Sequence, residues 1–282
     1  ALRFRVPDQI NFRHCGPPKL DHSGIIQYNN LNPRFDFARE CISTCTSALY
    51  RVFAARTSAL EGKVKVIHLI SGGDTGGART HVYSLLKYLG QIIDVQLVCF
   101  RGGDFADGAA ALGIPTMVLG KGFLANLGAL KRIIRDGEYD IVHCHGSMAN
   151  VMGAMLRPSV HVPVISTVHS DYRLDYLGRP FARAVYGTLN TWALHQLDYR
   201  VCVSDPIRQR LIDRGFEPNR LFSIYNGLDF SHVVPKTDRA AYFAQFGYTV
   251  HEGDVIAGIA ARLDPVKDIP TLIRAVALAK KD

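Results

Sequence analysis

Three groups of residues in this chain could do chemistry at the spacing they keep. The first is two close glycine pairs, Gly72 with Gly73 and Gly76 with Gly77. They lie between the apolar run of residues 64–70 and a stripe formed by Val82, Leu85, Leu86 and Leu89. Where a strand turns into a helix, glycine lets a ligand approach the backbone, and the helix's first N–H groups face that ligand unpaired. Such a turn suits a phosphate, a sugar hydroxyl or a carboxylate. The second group is histidines at strand ends: His143 and His145 in DIVHCHG (140–146), and His169 in TVHSD (167–171). A histidine there can donate to a hydroxyl or phosphate oxygen while the scaffold holds its other nitrogen. The third is Arg262 and Lys267 in GIAARLDPVKD (258–268). A planar fork and a point charge beside a helix start would clamp a diphosphate and stabilise its departure.

A metal is the obvious competitor for His143 and His145, because alternate strand residues share a face. No Cys, Asp or Glu stands at zinc-like spacing from them, so no metal site is expected. His143 is expected to point into the packed layer, with His145 and His169 as the site candidates.

The elements that must position these groups alternate with regularity from Lys63 onward. Strands are predicted over 64–71, 95–100, 116–119, 141–145, 162–168, 200–203 and 222–225. Helices fall between them over 78–88, 105–112, 127–135, 149–156, 175–197 and 206–214. This order implies a Rossmann-like parallel sheet wrapped on both faces by right-handed crossovers, with ligands outside the carboxyl ends of the strands. On the 175–197 helix, Phe181, Val185, Leu189 and Trp192 recur every three or four residues beside Arg179 and Arg183. Core packing is the expected fate of that stripe, with a basic surface on anionic lipid as the other reading.

Three segments result. Residues 1–62 form an extension outside the alternation: loop to residue 35, then a helix over 37–59 with an apolar stripe of four-residue steps. Residues 63–235 form the main domain. Residues 236–282 hold a helix at 239–246, a strand at 255–260 and a helix at 268–280. That is one unit of a second Rossmann-like domain, which reads as cut off near its beginning. The missing initial methionine likewise reads as a start that lies upstream or has been removed.

Composition narrows the class. With 48% hydrophobic and 21% charged residues the chain is of ordinary globular make-up. No run approaches the ~20 apolar residues of a membrane span, and the first twenty residues lack the apolar centre of a signal peptide, so a cytoplasmic address is the default. The six cysteines show no metal-type pairing, and reduced thiols are expected. A net charge of +8 suggests anionic partners. Arginines are dispersed and no nucleic-acid motif is present, so nucleic acid is not among those partners, whereas nucleotide sugars and anionic membranes are.

The ordered motifs carry a resemblance. SGGDTGGARTHV (71–82), DIVHCHG, the strand ending in His169, the later strand end at Ser204, IYNGLD (224–229) and GIAARLDPVKD together resemble retaining GT-B glycosyltransferases of family 4. The similarity covers roughly residues 63–281. It implies an acceptor-side domain and the start of a donor domain. The implied activity is metal-independent transfer of a sugar from a nucleotide donor to a glycan or lipid-linked hydroxyl, in cell-envelope or polysaccharide synthesis, peripheral at the inner membrane face. It further implies that His169, Arg262 and Lys267 are catalytic, that Arg262 and Lys267 bind the donor phosphates, and that Gly76, Gly77, His145, Ser204 and Asn226 line the acceptor and donor loops. No cofactor beyond the donor is implied. As a fragment, the chain is expected to be inactive alone. Two departures stand out: Arg79 where many relatives carry an acidic residue, and Asp268 where glycine is usual. Two other classes stay open, an NADP-dependent oxidoreductase, for which Arg101 could meet a 2′-phosphate, and a non-catalytic sugar-binding module. The wrong glycine spacing counts against the first.

Overall fold

The computed structural model describes residues 63–120, 122–173, 181, 183–227, 237–261 and 263–279, with the paired stretches Lys19–Leu20 and Ile26–Gln27. The short antiparallel pairing of those two stretches is structure where loop is predicted. The helix expected over 37–59 lies outside the described residues.

From Lys63 the chain alternates as the pattern requires: β1 (Lys65–Ile70), α1 (Gly77–Leu89), β2 (Asp94–Cys99), α2 (Asp104–Ala111), β3 (Thr116–Val118), α3 (Phe123–Asp136), β4 (Ile141–His145), α4 (Ser147–Leu156), β5 (Val164–Val168), α5 (Thr188–Gln196), β6 (Tyr199–Cys202), α6 (Asp205–Asp213) and β7 (Leu221–Ser223). The seven strands form one parallel sheet in the order β3-β2-β1-β4-β5-β6-β7. The order reverses between β1 and β4, and in open α/β sheets the ligand crevice lies at such a reversal.

The pleat divides the strand side chains between two helix layers. Ile67, Leu69, Val142, Cys144 and Val98 join α3, α4 and α5 in the larger core. Val66, Ile70, Ile141, Leu97 and Cys99 face the other way, where Val82, Leu85, Leu86 and Leu89 of α1 cover them. On the first face α4 comes so close to β4 that a Cβ on Gly153 would meet Cys144 Sγ at 2.5 Å. At the amino end of the sheet the Asp140 carboxylate accepts from the Lys65 backbone N–H at 2.8 Å, fixing β1 against β4. Cys99, Cys144 and Cys202 are buried free thiols, as expected of their strand positions.

Two expectations need correction. Residues 255–260 are not a strand: they run without secondary structure, and Val255 is 94% exposed. A strand exists through hydrogen bonds to a neighbouring strand, and among the described residues none pairs with this stretch. The flanking helices do form, as α7 (Arg239–Ala244) and α8 (Ile269–Ala279), but no described side chain from 237 to 279 is buried. The second correction concerns the 175–197 helix. Residues 174–180 and 182 lie outside the described set, Arg183–Gly187 is a π-helix, and only then does α5 begin. The stripe expected in the core faces solvent instead: Phe181 is 81% exposed, and Val185, Leu189 and Trp192 are exposed with it. α5 meets the core through Asn190, Ala193 and Leu194, a different face from the one its aromatic spacing suggests. Among the described residues no helix is long and apolar enough to cross a membrane.

Candidate functional site

At the carboxyl end of the sheet the apolar alternation breaks. Along the face that α1 covers, the positions after Val66 and Ile141 are His68 and His143, followed on β4 by His145 and on the strand beyond by Thr167 and His169. Register places them side by side: His68 pairs with His143 and His145 with Thr167. His81, one turn into α1, closes over them.

The five imidazoles form one connected cluster. His68 Nδ1 is 3.1 Å from His145 Nε2, and His145 Nδ1 is 3.4 Å from His169 Nε2. His143 Nε2 lies 2.7 Å from Thr167 Oγ1. The rings of His143 and His145 stack at 4.4 Å between centroids, and His81 meets His169 edge-on at 4.9 Å. Burial removes charge from all five. It pushes His68 down to about 3, helped by His81, and pushes His169 to about 3 for the same two reasons. His143 and His145 fall well below the ordinary histidine value, first through burial and then through the neighbouring imidazoles. Burial takes His81 to about 4 against an opposing hydrogen bond from the Asn226 side chain. At neutral pH these rings are therefore uncharged, and an uncharged imidazole carries one N–H and one lone pair. Both nitrogens of His145 and one each of His68, His143 and His169 are engaged within the cluster or by Thr167. His81 Nε2 is buried without a hydrogen-bond partner among the described residues, so a ligand hydroxyl reaching it would recover a bond worth about 1–3 kcal/mol.

The glycine turn forms the rim. Gly72 sits at φ 87°, and a Cβ there would overlap the Arg101 carbonyl oxygen, so this glycine is demanded by the loop after β2. Arg101 is thereby seated against the glycine turn, and its guanidinium would crowd a Cβ on Gly73 at 2.5 Å. Gly76 and Gly77 differ, since a Cβ on either would meet nothing within 4 Å. Asp74 sits in the same turn, accepting from Ser71 Oγ at 2.6 Å and lying 3.7 Å from where a Gly146 Cβ would be. Arg79 turns outward from this rim, donating to the Asp104 carbonyl at 3.1 Å and resting over the Tyr83 ring. Behind His169, Asp171 takes paired bonds from Arg214 at 2.8 and 2.7 Å. Burial acts to raise the Asp171 carboxyl, but the Arg214 bonds hold it below its ordinary value.

His145, His169 and Asn226 are thus brought together, with Gly76 and Gly77 at the start of α1. His145 is a buried member of the cluster and not a surface group. Ser204 serves as the N-cap of α6, accepting from the Ile207 N–H at 3.5 Å. Lys267 is exposed at the end of the 3-10 turn Pro265–Lys267, and Arg262 lies outside the described residues. Asp268 has φ 45° and ψ 44°, the left-handed region where glycine is usual and Asp is among the few side chains tolerated. Sequence reasoning missed His68, His81 and Asp74. His68 was hidden inside an apolar run; only its register opposite His143 reveals it.

The sequence profile described as Glycosyltransferase Family 4 matches residues 75–232, more than half of the chain. The chain belongs to Glycosyltransferase Family 4. The match spans the turn from Thr75 through α1, β4 and β5 with His143, His145 and His169, and β7, while β1 with His68 precedes it. Among similar proteins is the UDP-Gal:alpha-D-GlcNAc-diphosphoundecaprenol alpha-1,3-galactosyltransferase of Escherichia coli, 23% identical over 155 residues that cover 52% of this chain and 40% of that protein. Another is a D-inositol 3-phosphate glycosyltransferase of Geodermatophilus obscurus, 30% identical over 50% of this chain and 32% of the relative. The chain therefore spans well under two thirds of the curated relatives it matches. In structure it resembles HepE of Anabaena in complex with UDP-glucose, with a TM-score of 0.60 and 20% identity over 76% of this chain and 57% of that one. At that identity the likeness speaks for the fold, an α/β Rossmann-like domain of GT-B type.

Proposed function

We propose that the protein transfers a sugar, with retention, from a nucleoside-diphosphate donor to a hydroxyl acceptor. In this reading residues 63–235 are the acceptor-side domain and residues from 236 onward begin the donor domain. The observation that carries it is the neutral histidine cluster at the β1/β4 reversal, of which His81, His143, His145 and His169 lie inside the span that matches the family. A sugar offers many hydroxyls and no charge, and uncharged imidazoles can donate to and accept from them without strong preference for an anion.

Roles follow from the chemistry. The C1–O bond to the diphosphate breaks, and Arg262 and Lys267 stabilise the departing phosphates, with no metal at the diphosphate. The acceptor hydroxyl attacks from the same face. At about 3, His169 is too weak a base to hold the hydroxyl proton, so it orients the hydroxyl and the proton leaves with a phosphate oxygen. Gly76 and Gly77 let substrate reach the α1 N-terminus. The E. coli relative's name specifies a UDP sugar and a diphosphoundecaprenol acceptor, and HepE is seen with UDP-glucose. A uridine diphosphate sugar and a lipid-linked glycan acceptor are accordingly the first pair to test. The exposed Phe181, Val185, Leu189 and Trp192 stripe would hold the protein at the membrane surface where such an acceptor resides.

The test uses protein expressed from its full reading frame, with labelled UDP-glucose, UDP-galactose, UDP-N-acetylglucosamine and GDP-mannose offered against a polyprenyl-diphosphate sugar. A labelled lipid product whose new linkage keeps the donor's anomeric configuration is expected. Inverted product would refute retention, and absence of product with all four donors would refute the assignment.

A further inference from the structure

We propose that His68, His143 and His145 form a zinc-binding site of three imidazoles at the reversal point of the sheet. One ring nitrogen from each lies within 4.8 Å of the other two. The closest pair, His68 Nδ1 and His145 Nε2, is 3.1 Å apart. Two imidazole nitrogens on one tetrahedral zinc, each at 2.0–2.1 Å from the ion, are separated by about 3.3 Å. That pair already stands at the required separation, and the rings would turn so that their lone pairs, which now face each other, converge on the ion.

The surrounding hydrogen bonds are those of ligating imidazoles. A metal-bound histidine normally donates its other N–H to a fixed acceptor, which sets the tautomer and the ring orientation. His143 Nε2 is held by Thr167 Oγ1 at 2.7 Å, and His145 Nδ1 by His169 Nε2 at 3.4 Å. All three rings are buried, and the neutral imidazole is the form that binds a metal. Three imidazoles with a fourth position for water or another oxygen donor are a set that zinc accepts and calcium or magnesium does not. The third ligand explains why residue spacing argued against a metal. His143 and His145 are neighbours in sequence, but His68 joins them only through strand pairing across 75 residues.

Such an ion would bridge β1 and β4 and leave His81 and His169 as the imidazoles that meet a sugar hydroxyl. Zinc retention is measured without donor or acceptor, so its failure is distinguishable from failure of the transfer reading. The test is equilibrium dialysis of the untagged chain against zinc at pH 7.5, with metal content measured after exchange into metal-free buffer. About one retained zinc per chain is expected, falling to background in His68→Gln, while the surface control His161→Gln keeps its zinc. Because a buried substitution can impair folding, a second measurement needs only the wild type. Cobalt(II) should give the visible absorption of tetrahedral nitrogen and oxygen ligation, with no near-ultraviolet thiolate band. Zinc retention no greater than background in wild type, retention unchanged in a folded His68→Gln, or a thiolate-type cobalt spectrum would each overturn the proposal.

Discussion

Lowering the pH from about 8 to 5.5 should remove most of the stability of the metal-free protein, and the histidine cluster sets the magnitude. His68, His81, His143, His145 and His169 all have folded values far below the ordinary 6.5. A group depressed in the folded state binds its proton first in the unfolded chain. Stability is therefore complete above about 6.5 and falls as pH drops below it, a loss that continues towards the folded values near 3 and 4. At pH 5.5 an unfolded histidine gains about 1.4 kcal/mol from protonation that a neutral buried one forgoes. Five such groups give a loss of about 7 kcal/mol, against a total stability of about 5–15 kcal/mol for a typical domain. Near pH 6 unfolding should take up about four protons. The lowered carboxyls of Asp171 and Asp205 do not contribute there, because their stabilisation is lost only below the ordinary carboxyl value. Urea unfolding in EDTA at half-unit steps from pH 8 to 5.5 measures the slope, and NMR follows the ring carbons. A urea midpoint that stays flat, or cluster histidines titrating near 6.5 in the folded protein, would refute the reasoning.

Three other outcomes are expected. Gly72→Ala should cost about 2–3 kcal/mol in urea unfolding, because it combines a left-handed φ with overlap on Arg101. Gly77→Ala should stay within about 0.5 kcal/mol yet weaken substrate binding, since its Cβ meets only open space. Equal stability losses in the two variants would remove the distinction between a packing glycine and a ligand glycine. Replacing Phe181 and Trp192 by aspartate should lower sedimentation with anionic vesicles at low salt without shifting the melting temperature, given their exposure; a large drop in melting temperature would return the stripe to the core. In the full reading frame Lys267→Ala should reduce transfer at least about 100-fold, as expected for loss of an electrostatic transition-state contact, and unchanged turnover would free Lys267 of that role.

Much of the fold could be read from the chain because parallel strands buried on both faces must be apolar throughout. Residues 141–145 match β4 in full, and Val82, Leu85, Leu86 and Leu89 are the buried stripe of α1. Periodicity failed where the deciding partner lies elsewhere. The aromatic spacing from Phe181 to Trp192 marks a helical face, but spacing alone cannot say whether that face meets protein or water. The run at 255–260 has strand composition without a strand beside it. At the site, local motifs revealed His145 and His169, whereas His68 needed the register of two strands remote in sequence, and His81 needed the docking of α1.

The central place of β1 also bears on how the protein is made. β1 pairs with β2 on one side and β4 on the other, and His68 and His145 are separated by 77 residues of chain. At about 5–20 residues per second, a ribosome takes about 4–15 s to add that length after His68. During that interval β2 can cover one edge of β1, while the other, bearing Val66, Ile67, Leu69 and Ile70, stands open to any passing strand. The crevice is thus last to be completed on one flank, and translation slowed between α3 and β4 would lengthen the period in which the nascent chain is most prone to aggregate.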